Sequence, residues 1–223
     1  MFNFSEADQS ESEEGGLRAR KKRQTRRAIV EAALGLMSAH GYEATTMEQV
    51  AREAEVSVGS LYNYFATKQA LLLGVVGHAT GDLIGAGRAV LDAPPEDARA
   101  GVFRLLHAYV DALGDLDKDL LKRALGVSFT EPFEMSEELV RLDMAMIEQL
   151  GELVAGFQDR GSITDEVSSE QAAVSLYGTF CISVLMWVSL PEQTTRELTN
   201  TLDDQLAVVF RGLEPRRRTR RRR

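Results

Sequence analysis

The segment TTMEQVAREAEVSVGSLYNYFATKQAL, residues 45–71, concentrates the side chains with most to offer another molecule. Ser57, Val58, Gly59, Ser60, Tyr62, Asn63 and Tyr64 are small or hydrogen-bonding. Such a set suits close approach to base edges in a major groove, which admits one helix. Tyr62 and Tyr64 each join a flat apolar ring to a hydroxyl that can donate to a phosphate oxygen, a contact that fixes register without reading sequence. Asn63 carries the amide that pairs with adenine and that serves a backbone contact equally well. Lys68 stands at the expected start of a helix, where the macrodipole already presents about half a positive charge. A phosphate from outside would relieve that conflict. Upstream, Arg18, Arg20, Lys21, Lys22, Arg23, Arg26 and Arg27 put seven cations within ten positions, a density suited to tracking a nucleic-acid backbone or entering a minor groove.

The elements that must hold these groups are all helical. From residue 17 to 213 apolar side chains recur three and four apart, with no sustained alternation, so the expected fold class is all-α with about nine helices. They are placed near 18–40, 47–54, 58–64, 68–91, 96–114, 117–130, 136–160, 169–189 and 194–213. Gly41, the pair Pro94 and Pro95, Gly161 and Pro191 supply the breaks. Thr45 with Glu48, and Thr194 with Glu197, have capping-box spacing. The helices at 47–54 and 58–64 are too short to stand alone. Met47, Val50, Ala51 and Ala54 on one, with Val56, Leu61 and Phe65 on the other, offer the apolar faces that would pair them as a helix-turn-helix, leaving 57–60 and 62–64 outside.

Charge divides the chain further. The net charge of −8 hides a basic stretch at 17–70, with nine basic against five acidic residues, and an acidic one at 71–214, with ten against twenty-four. Residues 1–16 carry five acids and 215–223 seven arginines. The expected organisation is a disordered acidic lead at 1–16, a three-helix DNA-binding unit at 17–70, a larger helical domain for effector binding and dimerisation at 71–213, and an Arg-rich disordered tail at 214–223. One cysteine, Cys181, rules out an internal disulfide and a zinc site built on paired cysteines, and fits a reducing cytoplasm.

Gly41-Tyr42, Thr45-Thr46, Val56-Ser57, Leu61-Tyr62, Tyr64-Phe65 and Lys68 before an apolar run occur in order. On these features, residues 28–72 resemble the DNA-binding domain of the TetR (tetracycline repressor-like) family. The resemblance implies an all-helical homodimer with a variable effector domain. It also implies phosphate contacts from Thr46, Tyr62, Tyr64 and Lys68, with 57–60 and 63 toward bases; many members carry lysine where this chain has Val58.

In the larger domain, 171–191 lacks any charged residue and is nearly long enough to span a bilayer. Glu170 and Glu192 flank it without a basic anchor, and Ser175, Thr179, Ser183 and Ser189 interrupt it, so a helix buried on all sides is expected, not a membrane span. Leu198, Leu202, Leu206, Val209 and Phe210 form a stripe on the last helix. With Tyr177 and Val184 they are the expected dimer interface, a four-helix contact between copies. Phe103, His107, Phe129, Met144, Tyr177, Phe180, Cys181 and Trp187 are the candidate lining of a largely apolar effector site, being bulky, soft or weakly polar on central helices. The helix expected at 68–91 carries Gly74, Gly77, Gly81, Gly85 and Gly87, each costing about 1 kcal/mol against alanine. Pliability or close packing is the expected compensation, and an effector that tilts this helix would separate the two DNA-reading units.

Catalysis is not expected. His40, His78 and His107 are scattered, and no nucleophile elbow, phosphate loop or metal-ligand spacing accompanies them; no cofactor is expected either. The competing interpretation is an architectural protein that coats nucleic acid through its arginine-rich ends without an effector. The favoured one is a homodimeric, sequence-specific repressor of transcription on a palindromic double-stranded operator, released by a small molecule.

Overall fold

The computed structural model describes residues 5–114, 116–130 and 133–213. Among these there are ten helices and no strand: α1 (Ser5–His40), α2 (Met47–Glu53), α3 (Val58–Tyr64), α4 (Lys68–Ala79), α5 (Gly81–Asp92), α6 (Ala98–Gly114), α7 (Lys118–Thr130), α8 (Phe133–Asp159), α9 (Ser169–Ser189) and α10 (Thr195–Leu213). The chain divides into two compact units, one ending at Val75 and one beginning at Val76. That boundary falls five residues later than the sequence predicts, inside α4.

The first unit follows from its apolar spacing. Ile29, Val30, Ala33 and Met37 repeat every three or four residues along α1 and are buried, as are Met47, Val50 and Ala51 on α2 and Leu61 and Phe65 at α3. Gly41, at φ +83, ends α1, its N–H donating to the Met37 carbonyl at 2.8 Å; a left-handed residue there is what glycine permits without a Cβ penalty. α1 begins at Ser5, so helix replaces the disorder expected over 5–16. The cap of α2 lies one residue beyond the predicted one. Thr46 accepts the Gln49 N–H at 3.2 Å while the Gln49 side chain accepts the Thr46 N–H at 2.8 Å. Thr45 is instead buried and donates to the Gly41 carbonyl at 3.0 Å.

In the second unit α5 packs on α6 and α8, α9 on α8 and α10, α10 on α6, and α7 on α8 and α9. Two glycines make close crossings possible. A Cβ at Gly101 would meet the Phe157 ring at 2.5 Å, and one at Gly87 would meet Gln149 Oε1 at 2.1 Å and the Tyr109 ring at 2.7 Å. Beneath Gly87, the buried Tyr109 hydroxyl donates to Gln149 Oε1 at 2.6 Å, and Gln149 Nε2 donates to the Ile84 carbonyl at 2.9 Å; burial pushes the Tyr109 phenol well above its ordinary value.

The single helix predicted over 68–91 is two. Buried Thr80 turns its hydroxyl back on the Val76 carbonyl at 2.8 Å. Such back-bonding, flanked by Gly77 and Gly81, loosens the ladder where α4 ends. Thr194 and Glu197 cap α10 as predicted, at 3.3 and 2.8 Å. A further box, Ser168 with Gln171, starts α9.

α9 and the stretch Lys68–Asp92 are both long and apolar enough to cross a bilayer. α9 lays Leu176, Phe180, Val184 and Trp187 into the core of its own unit but leaves Val174, Ile182, Leu185 and Met186 exposed, so it is buried on one side and not on all sides as expected.

Candidate nucleic-acid interface and apolar cavity

α3 is a short rod held by one side chain. Leu61 is fully buried while Val58, Gly59, Tyr62 and Asn63 are exposed and Ser60 and Tyr64 half-exposed. Ser57 caps the rod by accepting the Ser60 N–H at 3.0 Å, and its hydroxyl donates to that of Ser60 at 2.8 Å. The sharp entry to α3 passes through Glu55 at φ +54. A Cβ at Gly59 would meet nothing within 4 Å, so no packing within the protein requires glycine there; the gap faces outward. Tyr62, 46% exposed, stands one helical turn on from Val58, so α3 leaves Val58, Gly59, Tyr62 and Asn63 open to an outside partner.

The cations around this rod differ in how far they are committed. Lys68 is partly satisfied from within: its ammonium donates to the Glu43 carbonyl at 3.2 Å and lies 4.3 Å from the Tyr42 ring centroid. An external phosphate is therefore not needed to relieve its position at the start of α4, as the sequence had suggested. Arg26 is half-buried with its guanidinium 5.0 Å from the Phe65 ring centroid, and Arg27 pairs with Glu31 at 2.7 Å, one helical turn on. Arg23 is exposed. Thr46 is exposed while capping α2. The Arg-rich tail at 214–223 lies outside the described residues.

The second unit holds a cavity of about 460 Å³ that is partly open to solvent. Its walls come from Val76 of α4, Leu83 of α5, Leu113 of α6, Leu121, Ala124 and Leu125 of α7, Leu139, Asp143 and Met146 of α8, and Tyr177, Phe180, Cys181 and Val184 of α9. Of the predicted ligand residues, Tyr177, Phe180 and Cys181 are in it. Met144, Phe103, His107 and Trp187 are elsewhere. Met144 is 60% exposed, because one residue's rotation from Asp143 carries it off the inner face of α8. Phe103 and His107 line a separate depression, where His107 Nε2 is 2.6 Å from Asp203 Oδ1 and Phe103 stacks near Phe210. Trp187 is buried at the α9–α10 corner, its ring 4.8 Å from the Lys118 ammonium, which donates to the Leu190 and Gln193 carbonyls at 2.6 and 2.8 Å. Phe129 falls outside the residues whose side chains are described.

Asp143 was not foreseen. The Tyr177 hydroxyl donates to its Oδ1. Burial raises the Asp143 carboxyl above its usual range, with the Tyr177 hydrogen bond opposing that rise, and burial lifts the Tyr177 phenol and the Cys181 thiol as well. A signal was available: Asp143 sits four residues after Leu139 and three before Met146, a charged residue at an apolar-face position.

The predicted dimer stripe is also corrected. Leu198, Leu202, Leu206 and Phe210 are buried within the unit's own core, against α6 and α9, and Val184 lines the cavity. Val209 is half-exposed. Among the described residues of this unit the large apolar side chains left exposed are Met144, Val174, Ile182, Leu185, Met186, Leu190 and Val208, with Ile182 and Leu185 also at the edge of the cavity.

Among the described residues the chain is all-helical, with a helix-turn-helix in the first unit and a cavity-bearing bundle in the second. Residues 29–75 match the family model described as "Bacterial regulatory proteins, tetR family". The repressor KstR of Mycolicibacterium smegmatis is 44% identical over 68 residues, covering 30% of this chain and 32% of that protein. The regulator TcmR of Streptomyces glaucescens is 45% identical over 58 residues, 26% of each. The chain thus spans about a third or less of the length of these curated relatives. Solved structures extend the likeness in fold. Thermus thermophilus FadR, in complex with lauroyl-CoA, is 22% identical with a TM-score of 0.64, over 87% of this chain and 97% of that one. A TetR-family regulator from Pectobacterium atrosepticum is 20% identical with a TM-score of 0.70, over 89% and 98%. The likeness to the TetR family in sequence thus lies in the helix-turn-helix segment, residues 29–75.

Proposed function

We propose that this protein is a transcription repressor that binds a palindromic operator as a homodimer and releases it when a small molecule fills the cavity of the second unit. The observation that carries the DNA-binding half is α3 itself: a rod fixed by Leu61, with an outward glycine at 59 that the protein's own packing does not require, beside exposed Tyr62 and Asn63. Absence of a Cβ permits the backbone to approach base edges. In this scheme Ser57, Val58, Gly59, Ser60 and Asn63 face bases, while Thr46, Tyr62, Tyr64 and Lys68 contact phosphates, with Arg23 free to follow the backbone. The ammonium of Lys68, held by one carbonyl, keeps donors for a phosphate.

Dimerisation is assigned to the exposed apolar residues of α9 and α10, Val174, Ile182, Leu185, Met186 and Val208, in place of the buried stripe. Two recognition helices about 34–36 Å apart would then reach successive major grooves. The cavity supports the effector half, as does the fold shared with a protein solved with lauroyl-CoA. Catalysis plays no part in this scheme, and such a regulator works in the cytoplasm.

Selection of bound duplexes from a random pool at physiological salt is the test. Recovery of one short palindrome, bound by a dimer, is expected. Uniform recovery of all sequences, or a complex containing one protomer, would sink the proposal.

A further inference from the structure

We infer that the cavity takes an amphiphile with an apolar body and a cationic ammonium head, the head pairing with Asp143. This rests on the cavity being the effector site and names the chemistry of what enters it. Asp143 is the sole charged residue among the described residues that line about 460 Å³ of otherwise nearly hydrocarbon wall. No lysine, arginine or histidine stands among them. The Tyr177 hydroxyl donates to Oδ1 and so orients the carboxylate, yet an ionised carboxylate has about four lone-pair sites. One neutral hydroxyl compensates such a charge poorly when it is withdrawn from water. The rise of the carboxyl's pKa on burial records that deficit. A fatty carboxylate or a phosphate placed in the same space would set like charge against Asp143, whereas an ammonium supplies both the countercharge and three donors. The apolar body is set by Leu83, Leu121, Ala124, Met146 and Phe180, which offer it dispersion contacts and no hydrogen bonds.

Calorimetric titration of the full chain with decylammonium, decanol and decanoate below their aggregation limits tests this. Decylammonium is expected to bind about tenfold or more tightly than decanoate, a difference of about 1.4 kcal/mol or greater, and to displace decanol competitively. D143N is expected to abolish the preference while leaving decanol binding intact; Tyr177→Phe, which keeps the carboxylate, retains it. Equal or tighter binding of decanoate, no binding of any of the three, or a preference that survives in D143N overturns the inference. The wild-type series and the competition decide the matter even if D143N does not fold. Release of the selected operator is scored in the same samples. Ammonium selectivity without release removes the effector role and leaves the cavity's preference standing. Release by decanoate but not decylammonium removes the preference and leaves the effector role.

Discussion

The two units carry their candidate sites in opposite ways. In the first, α3 is anchored by Leu61 alone and turns most of its side chains outward. In the second, α9 turns one face into the core and its site is an inward cavity with one charge in it. An outward site leaves residue identity free of packing, so small and hydrogen-bonding residues there stand out. An inward site is made of the same leucines, valines and methionines that any core uses, and it is distinguished by an unoccupied volume and a half-buried acid in its wall.

This contrast can be broken most sharply at Leu61. Leu61→Ala should destabilise the first unit by about 2–5 kcal/mol, the range for buried leucine truncation, and abolish operator binding; denaturant unfolding that is unchanged would show that α3 is not held as described. Asn63→Ala should leave stability nearly untouched but shift sequence preference by about 1–3 kcal/mol at one base pair, the worth of a good base contact, as read by competitive binding to variant operators. If every duplex weakens equally, Asn63 touches backbone only.

Glycines give a comparison within and between units. Gly87→Ala should cost about 1–3 kcal/mol, because its Cβ would enter the space of Gln149 and Tyr109. Gly85→Ala, two positions away in the same helix with open space around it, should stabilise by up to about 1 kcal/mol. Gly59→Ala should leave the melting temperature unchanged or slightly higher while weakening the operator complex; undiminished affinity would mean that nothing approaches that face.

The smallest effect is electrostatic. Burial raises the Asp143 carboxyl in the folded protein, so the folded state holds that proton more tightly than the unfolded one, and stability is lost as pH rises through the raised value. Asp143→Asn should therefore raise the unfolding midpoint at neutral pH, with a gain that shrinks as pH falls toward the ordinary aspartate range. A gain that is independent of pH would assign the effect to packing instead.

Much of the first unit was legible beforehand because its determinants are local. The periodic apolar residues, the left-handed glycine at 41 and the tight spacing of 45–71 all act over a few residues. The cap misplacement from Thr46 to Thr45 came from two adjacent threonines with equivalent spacing to Gln49 and Glu48; only burial of the Thr45 side chain separates them. The break at Thr80 was illegible for a similar reason, since a threonine flanked by glycines is compatible with an unbroken helix until its hydroxyl turns back on the ladder.

Composition and periodicity by themselves determined that residues 17–213 are helical between their breaks, that the basic stretch and the short paired helices lie together along the chain, and which residues of α3 face outward, because each of these depends on local spacing. Tertiary structure decided which apolar stripe is core and which is left bare, and that Asp143 meets Tyr177 inside a cavity. Those outcomes depend on which helices cross and how closely, and Leu206 on α10 and Ile182 on α9 are equally apolar until a neighbouring helix covers one and not the other.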